Sequence, residues 1–128
     1  MPYQVRYSEN PFGVITKFFG VVTDEDLHKS CVDRTLLEEQ VKDLSYVLDD
    51  FVEVSEFLVT SEGVIDAASF AIKAAELNKH LQYLSVVPTD LLYGTARMWF
   101  AHTDETEWER NIFRTREEAE KWLEANVY

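Results

Sequence analysis

Residues 81–89 read LQYLSVVPT, and this stretch decides the fold. The run Leu81–Val87 is apolar at all but two positions, which is the pattern of a short strand covered on both faces. Pro88 ends such a strand, and Thr89 is of a residue type that caps the N-terminus of a helix. The stretch therefore predicts a buried parallel strand that leads directly into a helix, as in α/β folds.

The rest of the chain shows the same alternation of strand and helix signals. Tyr3, Val5 and Tyr7 alternate with polar residues, and a turn cluster at 8–11 connects this strand to the next one as a hairpin. Helical spacing of apolar residues indicates the helices. The predicted strands cover 3–7, 12–22, 45–54, 81–87 and 108–114, and the predicted helices cover 24–42, 61–79, 90–103 and a final segment capped by Thr115.

This order, ββαβαβαβα, predicts one α/β domain over residues 1–128. The expected sheet has five strands and is mixed, with an N-terminal hairpin and otherwise parallel strands, and the helices pack on it. The first helix is expected to reach Lys42 because four apolar residues share one face: Leu27, Cys31, Leu37 and Val41. The second helix is expected to pack closely on the sheet through small residues: Val64, Ala67, Ala68, Ala71, Ala74 and Ala75.

The composition excludes several function classes. The 128 residues include 12 basic and 24 acidic side chains, for a net charge of −12, which argues against binding to nucleic acids or to anionic membranes. A single cysteine allows no internal disulfide, and the longest apolar stretch is too short to span a bilayer. We therefore expect a cytoplasmic protein without a transmembrane segment.

The last third of the chain resembles a known family. The residues that carry the resemblance are VPTDLLYGTARM at 87–98, IFRT at 112–115, and the pairing of Glu117-Glu118-Ala119 with Trp122-Leu123. Together they are similar to the SpoIIAA-like family, small STAS-type domains related to the anti-sigma-factor antagonists. The resemblance implies a mixed sheet with the N-terminal strands at one side, and the order of elements agrees with this over the whole chain.

The resemblance also implies a phosphorylation site. STAS antagonists carry an Asp-Ser-x-Gly-Leu type motif where a strand meets a helix, and a partner kinase phosphorylates its serine. The matching segment here is TSEGV at 60–64, which makes Ser61, or else Thr60, the candidate phosphoacceptor, although Thr60 replaces the acidic residue. The alternative is that one of these residues is an ordinary helix cap, and we predict that Ser61 caps the second helix.

No group of residues has the spacing of a catalytic or metal site. The three histidines are far apart, and phosphate-binding loops, nucleophile elbows and Cys-x-x-Cys motifs are absent. Asp49-Asp50 is similar to the phosphoacceptor position of receiver domains, but the other acidic and lysine positions of that site are missing. Cys31 lies on an apolar face and is expected to be a buried, inert thiol. We therefore predict no enzymatic activity, no cofactor and no metal.

The third helix is unusual because it is apolar on nearly all sides. Thr95 and Arg97 are its only polar residues between Leu91 and Ala101. We consider three explanations: an interface with a partner or a second copy, an internal cover formed by Trp122 and Tyr128, or the wall of a lipophilic pocket. The candidate interface or pocket residues are Tyr93, Arg97, Met98, Trp99 and Phe100.

Two further expectations concern this helix. Trp99 and Phe100 diverge by 100°, so we expect one ring to need cover from a second copy, as in a homodimer. Arg97 is expected to stack on Tyr93 or to pair with Asp90 on the same face. The predicted function is a non-enzymatic STAS-like interaction or regulatory domain that binds a protein partner or itself. The alternative is a protein that binds a small lipophilic ligand beside the third helix.

Overall fold

A computed structural model describes residues 2–35 and 38–128, which form a sheet with helices on both sides. A 3-10 turn at Asp104–Thr106 follows the fourth helix. The strands are β1 (Tyr3–Ser8), β2 (Gly13–Thr23), β3 (Tyr46–Leu58), β4 (Gln82–Val86) and β5 (Glu109–Phe113). The helices are α1 (Asp24–Thr35), α2 (Glu38–Val41), α3 (Ser61–Leu77), α4 (Asp90–His102) and α5 (Arg116–Asn126).

The five strands lie in the order β1-β2-β3-β4-β5. β1 and β2 form the predicted antiparallel hairpin, and every other neighbouring pair is parallel. Parallel neighbours need a crossover, and the helices between the strands provide it. The predicted fold class, an α/β fold with a five-stranded mixed sheet, is confirmed.

The two faces of the sheet are covered by different helices. Residues paired across parallel strands point to the same side, so Val47 and Tyr83 lie on one face, and Leu48 and Leu84 lie on the other. α1, α3 and α4 cover the first side, which we call the α3 face. α5 covers the second side, the α5 face. The small-residue side of α3 packs on the sheet as predicted, with these residues buried: Val64, Ala67, Ala68, Ala71 and Ala75.

One helix end differs from the prediction, and the middle of the predicted first helix lies outside the described residues. The described parts of that helix are α1, which reaches Thr35, and the short α2, which carries Val41 into the core, while Leu37 lies outside the described residues. α3 ends at Leu77 rather than at Lys79 because Asn78 has an extended backbone. The buried Asn78 amide donates hydrogen bonds to the carbonyls of Val41 and Leu44, at 2.8 and 2.9 Å. The Asn78 side chain, at the end of α3, thus binds the segment 41–44 at the end of α2.

β3 is longer than predicted. The strand continues to Leu58 instead of ending at Val54, because it keeps pairing with β2 through two register shifts. β4 pairs only with the first part of β3, residues 46–50. The later part is half exposed and carries glutamates at 53 and 56, and this polarity hides the strand signal.

The internal cover proposed for the predicted third helix, which is α4 in the structure, is wrong. Trp122 packs against Phe113, and Tyr128 packs against Tyr46, both on the α5 face. The reason is that α5 crosses to the side of the sheet opposite α4. Within the described residues, no helix is long and apolar enough to cross a membrane.

Candidate functional site

α4 has three distinct faces, and the candidate functional surfaces lie along them. Thr89 caps the helix as predicted, because its Oγ1 accepts a hydrogen bond from the Leu92 amide. One face points inward to the core, one lies beside β5, and one faces solvent. Their residues are Leu92, Ala96 and Trp99 for the inward face, Tyr93, Arg97 and Phe100 for the β5 side, and Leu91, Gly94, Met98 and Ala101 for the outward face.

Both neighbouring rings of α4 find partners within the chain. The Trp99 ring lies 4.5 Å from the ring centre of Tyr83, on the α3 face. The guanidinium of Arg110, in β5, lies 5.0 Å from the centre of the Phe100 ring, a cation–π contact. The expectation that one ring needs a second copy is therefore wrong, because the edge strand supplies a cation that covers Phe100.

The pairing predicted for Arg97 is made by a different arginine. The Arg114 guanidinium lies 4.7 Å from the centre of the Tyr93 ring, and its Nη2 lies 3.0 Å from Asp90 Oδ1. Arg97 is exposed and makes no ion pair with any described residue. The spacing along the helix correctly identified Tyr93 and Asp90, but it could not show that β5 brings Arg114 to them.

The outward face of α4 forms an exposed apolar surface, which we call the α4 stripe: Leu91, Gly94, Met98 and Ala101. Leu91 is 69% exposed and Met98 is 38% exposed. Gly94, which lies between Leu91 and Met98, and Ala101, which follows Met98, are exposed as well. The apolar surface of α4 that is exposed to a partner is therefore the α4 stripe, and not Trp99 and Phe100 as predicted.

A cavity of about 120 Å³ lies between the sheet and the helices of the α3 face. Its walls are mainly apolar and come from α1, α3, α4 and the central strands. Trp99 lines it from α4, as the pocket explanation expected, whereas Tyr93, Arg97, Met98 and Phe100 do not. Representative wall residues are Leu27, Phe51, Ala67, Ala71, Leu92 and Trp99.

A buried polar cluster forms one part of this cavity wall. Arg34 Nη1 donates a 2.8 Å hydrogen bond to Asp49 Oδ1, and the Tyr83 hydroxyl donates to Asp49 Oδ2. Arg34 Nη2 lies 3.5 Å from the Cys31 sulfur. The ion pair makes the cluster neutral overall, so this end of the cavity offers polar groups without a net charge.

The protonation states in the cluster follow from burial and from Asp49. Burial, and then the Asp49 carboxylate, raise the pKa of Tyr83 well above its ordinary value, so its hydroxyl stays a donor. Burial lowers the pKa of Arg34, but Asp49, Tyr83 and Cys31 together more than offset this, and the result lies above the ordinary value. Burial raises the pKa of Cys31, which is buried as predicted and stays a protonated thiol.

The two neighbouring aspartates do not form an acidic pair. Successive residues of a strand point to opposite faces, so Asp49 reaches Arg34 while Asp50 reaches Arg116 on the α5 face, at 2.9 Å. Sequence reasoning missed both ion pairs. The available signal was two buried-strand carboxylates, which need cationic partners, but nothing in the sequence identifies which arginines supply them.

The start of α3 is capped by Thr60, so the prediction that Ser61 is the cap is wrong. Thr60 Oγ1 accepts a hydrogen bond from the Gly63 amide at 3.2 Å. Asp24, at the start of α1, accepts hydrogen bonds from the Thr60 amide at 2.7 Å and from the Thr60 hydroxyl at 2.6 Å. Ser61 is the exposed first residue of the helix.

The Asp24 carboxylate lies at the N-terminus of α3, where a helix favours a negative group. Gly63 is needed there, because a Cβ atom at this position would collide with the Asp24 carboxyl group. A phosphate on Ser61 would therefore meet the charge of Asp24 beside it, and that of Glu62 next in sequence. Ser61 stays a predicted phosphoacceptor with an open side chain, while the Thr60 hydroxyl is already engaged.

The cap can be tested by two alanine variants. We expect Thr60→Ala to lower the free energy of unfolding by about 1 kcal/mol, because the Gly63 amide loses its acceptor. Ser61→Ala should change it by less than about 0.5 kcal/mol, as is usual for exposed positions. Urea unfolding of both variants measures this, and a larger loss for Ser61→Ala would contradict the assignment.

The buried ion pair can be tested in the same way. We expect Arg34→Met to lower the free energy of unfolding by about 3 kcal/mol, because it leaves the Asp49 carboxylate buried without its cation. Arg116→Met is the matched control and should cost less. Arg116 is 32% exposed against 14% for Arg34, and the Val52 amide still donates to Asp50. Equal losses in urea unfolding at neutral pH would show that Arg34 has no special role.

Comparison with known proteins confirms the fold. No family model and no curated protein matches the sequence. An uncharacterised Shewanella loihica protein with a SpoIIAA-like fold is 18% identical, covers 94% of this chain and 91% of its own, and gives a TM-score of 0.62.

Two SpoIIAA structures match as well. The anti-sigma factor antagonist SpoIIAA in its unphosphorylated form is 12% identical over 95% of this chain and 97% of its own, with a TM-score of 0.61. The Bacillus cell fate determinant SpoIIAA in its phosphorylated form is 16% identical over 94% of this chain and 98% of its own, with a TM-score of 0.62. The chain thus has the SpoIIAA-like fold that the sequence resemblance implied.

Proposed function

We propose that this chain is a non-enzymatic regulatory domain that acts by binding protein, including a second copy of itself. The observation that carries the proposal is the α4 stripe, which leaves a large leucine and a methionine open to solvent on one face. Exposed apolar surface of this kind marks interaction sites. The likeness in fold to SpoIIAA, described as an anti-sigma factor antagonist, supports a regulatory role.

The order of residues in the α4 stripe favours a second copy as its occupant. Consider two copies of α4 that pair antiparallel about a two-fold axis, which crosses the helix at the level of residue 96. Leu91 of one copy then faces Ala101 of the other. In the same pairing, Gly94 faces Met98. Each large side chain then meets a small residue, so the stripe is complementary to itself, as an interface with two-fold symmetry requires.

Size and charge predict that this association is weak. A helix of 13 residues is about 20 Å long, so a contact limited to α4 lies at the low end of interface sizes. The net charge of −12 on each chain opposes association. We therefore expect a dimer that forms at high protein concentration and tightens with added salt, because salt screens the repulsion.

A substitution at Gly94 tests the dimer. A Cβ atom at Gly94 would meet no atom within 4 Å inside the chain, so Gly94→Leu should leave the fold intact. It should weaken the dimer at least tenfold, because it fills the space that Met98 of the second copy needs. Ala125→Leu, at an exposed position of α5, is the matched control and should leave association unchanged.

Sedimentation over a range of protein and salt concentrations measures this association. A chain that stays monomeric at every concentration would overturn the homodimer. Equal weakening by Gly94→Leu and Ala125→Leu would show that the α4 stripe is not the contact.

The cavity supports a second candidate function, the binding of a small lipophilic ligand. An engineered apolar cavity of about 150 Å³ binds benzene, whereas drug-sized ligands need about 300 Å³ or more. A volume of about 120 Å³ therefore suits a compound of benzene size and not a lipid chain. The neutral Arg34–Asp49 pair favours an uncharged ligand, because a free charge would find no counter-ion in the cluster.

A filled cavity tests this second candidate. We expect benzene to raise the melting temperature of the protein, because it binds the folded state alone. Ala96→Leu, which extends a side chain from α4 into the cavity, should abolish this effect. Ala125→Leu should keep it. Thermal unfolding followed by circular dichroism measures the shift, and an equal shift in all three proteins would mean that benzene does not bind in the cavity.

A further inference from the structure

Three arginines come together beside the free edge of the sheet. Arg110 and Ile112 alternate along β5 towards α4, and Arg114 follows directly after the strand; Arg110 covers Phe100 and Arg114 covers Tyr93. Arg97 lies on the same side of α4, between these two rings along the helix. We call this surface the β5 groove and define it by Tyr93, Arg97, Phe100, Arg110 and Ile112, which line one open depression together with Ala101, Asp104 and Asn111.

The β5 groove is positive on a strongly negative protein. Arg97 and Arg110 line it and Arg114 adjoins it, against the two carboxylates of Asp104 and Asp90, in a chain of net charge −12. Arg114 pairs with a fully exposed Asp90, and Arg110 pairs with Asp104, whose side chain is 77% exposed. The exposed pair between Arg114 and Asp90 contributes little and exchanges readily. The Arg110 side chain is only 16% exposed and also donates hydrogen bonds to the Phe100 carbonyl and the Thr103 hydroxyl, so its positive charge is fixed in the wall of the groove. Arg97 has no acidic partner among the described residues, so the groove can accept further negative charge.

β5 also offers an unpaired backbone edge. It is the last strand of the sheet, and in the described structure it pairs only with β4. The outer amides and carbonyls of an edge strand can bind an added extended peptide. Residues 110 and 114 lie about 13 Å apart along the strand, which is also the distance between side chains four positions apart in such a peptide.

We propose that the β5 groove binds an extended acidic segment of a partner protein, which adds to the edge of β5. Its Asp or Glu side chains meet Arg97, Arg110 and Arg114, while its backbone bonds to β5. A short peptide fits better than a nucleic acid or an anionic membrane. It can stay within the groove, whereas a larger anionic surface would also meet the negative remainder of the protein.

Fluorescence anisotropy with labelled ten-residue peptides tests the charge requirement. One peptide alternates Glu with Val, and a second carries Gln in place of Glu. We expect the Glu peptide to bind at least tenfold more tightly than the Gln peptide, and Arg97→Glu to weaken it at least tenfold. The matched control is Arg6→Glu, which makes the same charge change at an exposed position of β1, the opposite edge strand, and should leave binding unchanged.

The backbone requirement is tested separately. N-methylation of alternate peptide amides should abolish binding, and amide chemical shifts in the labelled protein should change mainly at residues 109–114. Equal weakening by Arg97→Glu and Arg6→Glu, or equal binding of the Glu and Gln peptides, would overturn the proposal. Binding to phosphatidylglycerol vesicles without binding to the Glu peptide would overturn it as well, and would assign the groove to a lipid surface.

Discussion

The ion pair between Arg34 and Asp49 is the interaction on which the arrangement around the cavity depends. Asp49 sits in the middle of the sheet, so its charge must be compensated there, and Arg34 does this from the last turn of α1. Asp49 also accepts a hydrogen bond from Tyr83 in the next strand. One carboxylate thus joins a helix and two strands, and it fixes the direction of the Tyr83 side chain.

The position of α4 follows from that tyrosine. The Tyr83 ring lies between two tryptophans, 4.5 Å from Trp99 in α4 and 5.8 Å from Trp108 before β5. Aromatic contacts of this kind prefer particular orientations, so they fix the rotation of α4 about its axis as well as its position. That rotation turns the α4 stripe to solvent and Tyr93, Arg97 and Phe100 towards β5. The orientation of the two surfaces that we propose as binding sites therefore depends on a buried polar contact.

At the start of α3, a carboxylate compensates the partial positive charge of a helix N-terminus. The free amides at a helix N-terminus favour a negative group, and here the carboxylate of Asp24 supplies it through Thr60. The contact ties the starts of α1 and α3 together. It also places a carboxylate next to the residue before Ser61, in the segment that resembles the phosphorylated motif of the antagonists. A new phosphate would thus have to compete with an anion that the fold already provides.

The sequence by itself determined the order of strands and helices, the mixed sheet with its N-terminal hairpin, the burial of Cys31 and the small-residue side of α3. These features depend on local spacing, because the periodicity of apolar residues and the caps at Thr89 and Thr115 act within a few residues. The resemblance in the last third of the chain added the fold family for the same reason, since its motifs are contiguous.

Only the tertiary structure decided which side chains meet. Arg34, Asp49 and Tyr83 are separated by 15 and 34 positions in the sequence, and any other arginine would have satisfied the pattern equally well. Likewise, Arg114 rather than Arg97 stacks on Tyr93, and Arg110 covers Phe100, because β5 runs beside α4. Helical spacing describes neighbours on one helix, but the contacts between elements depend on how the strands and helices pack together in space.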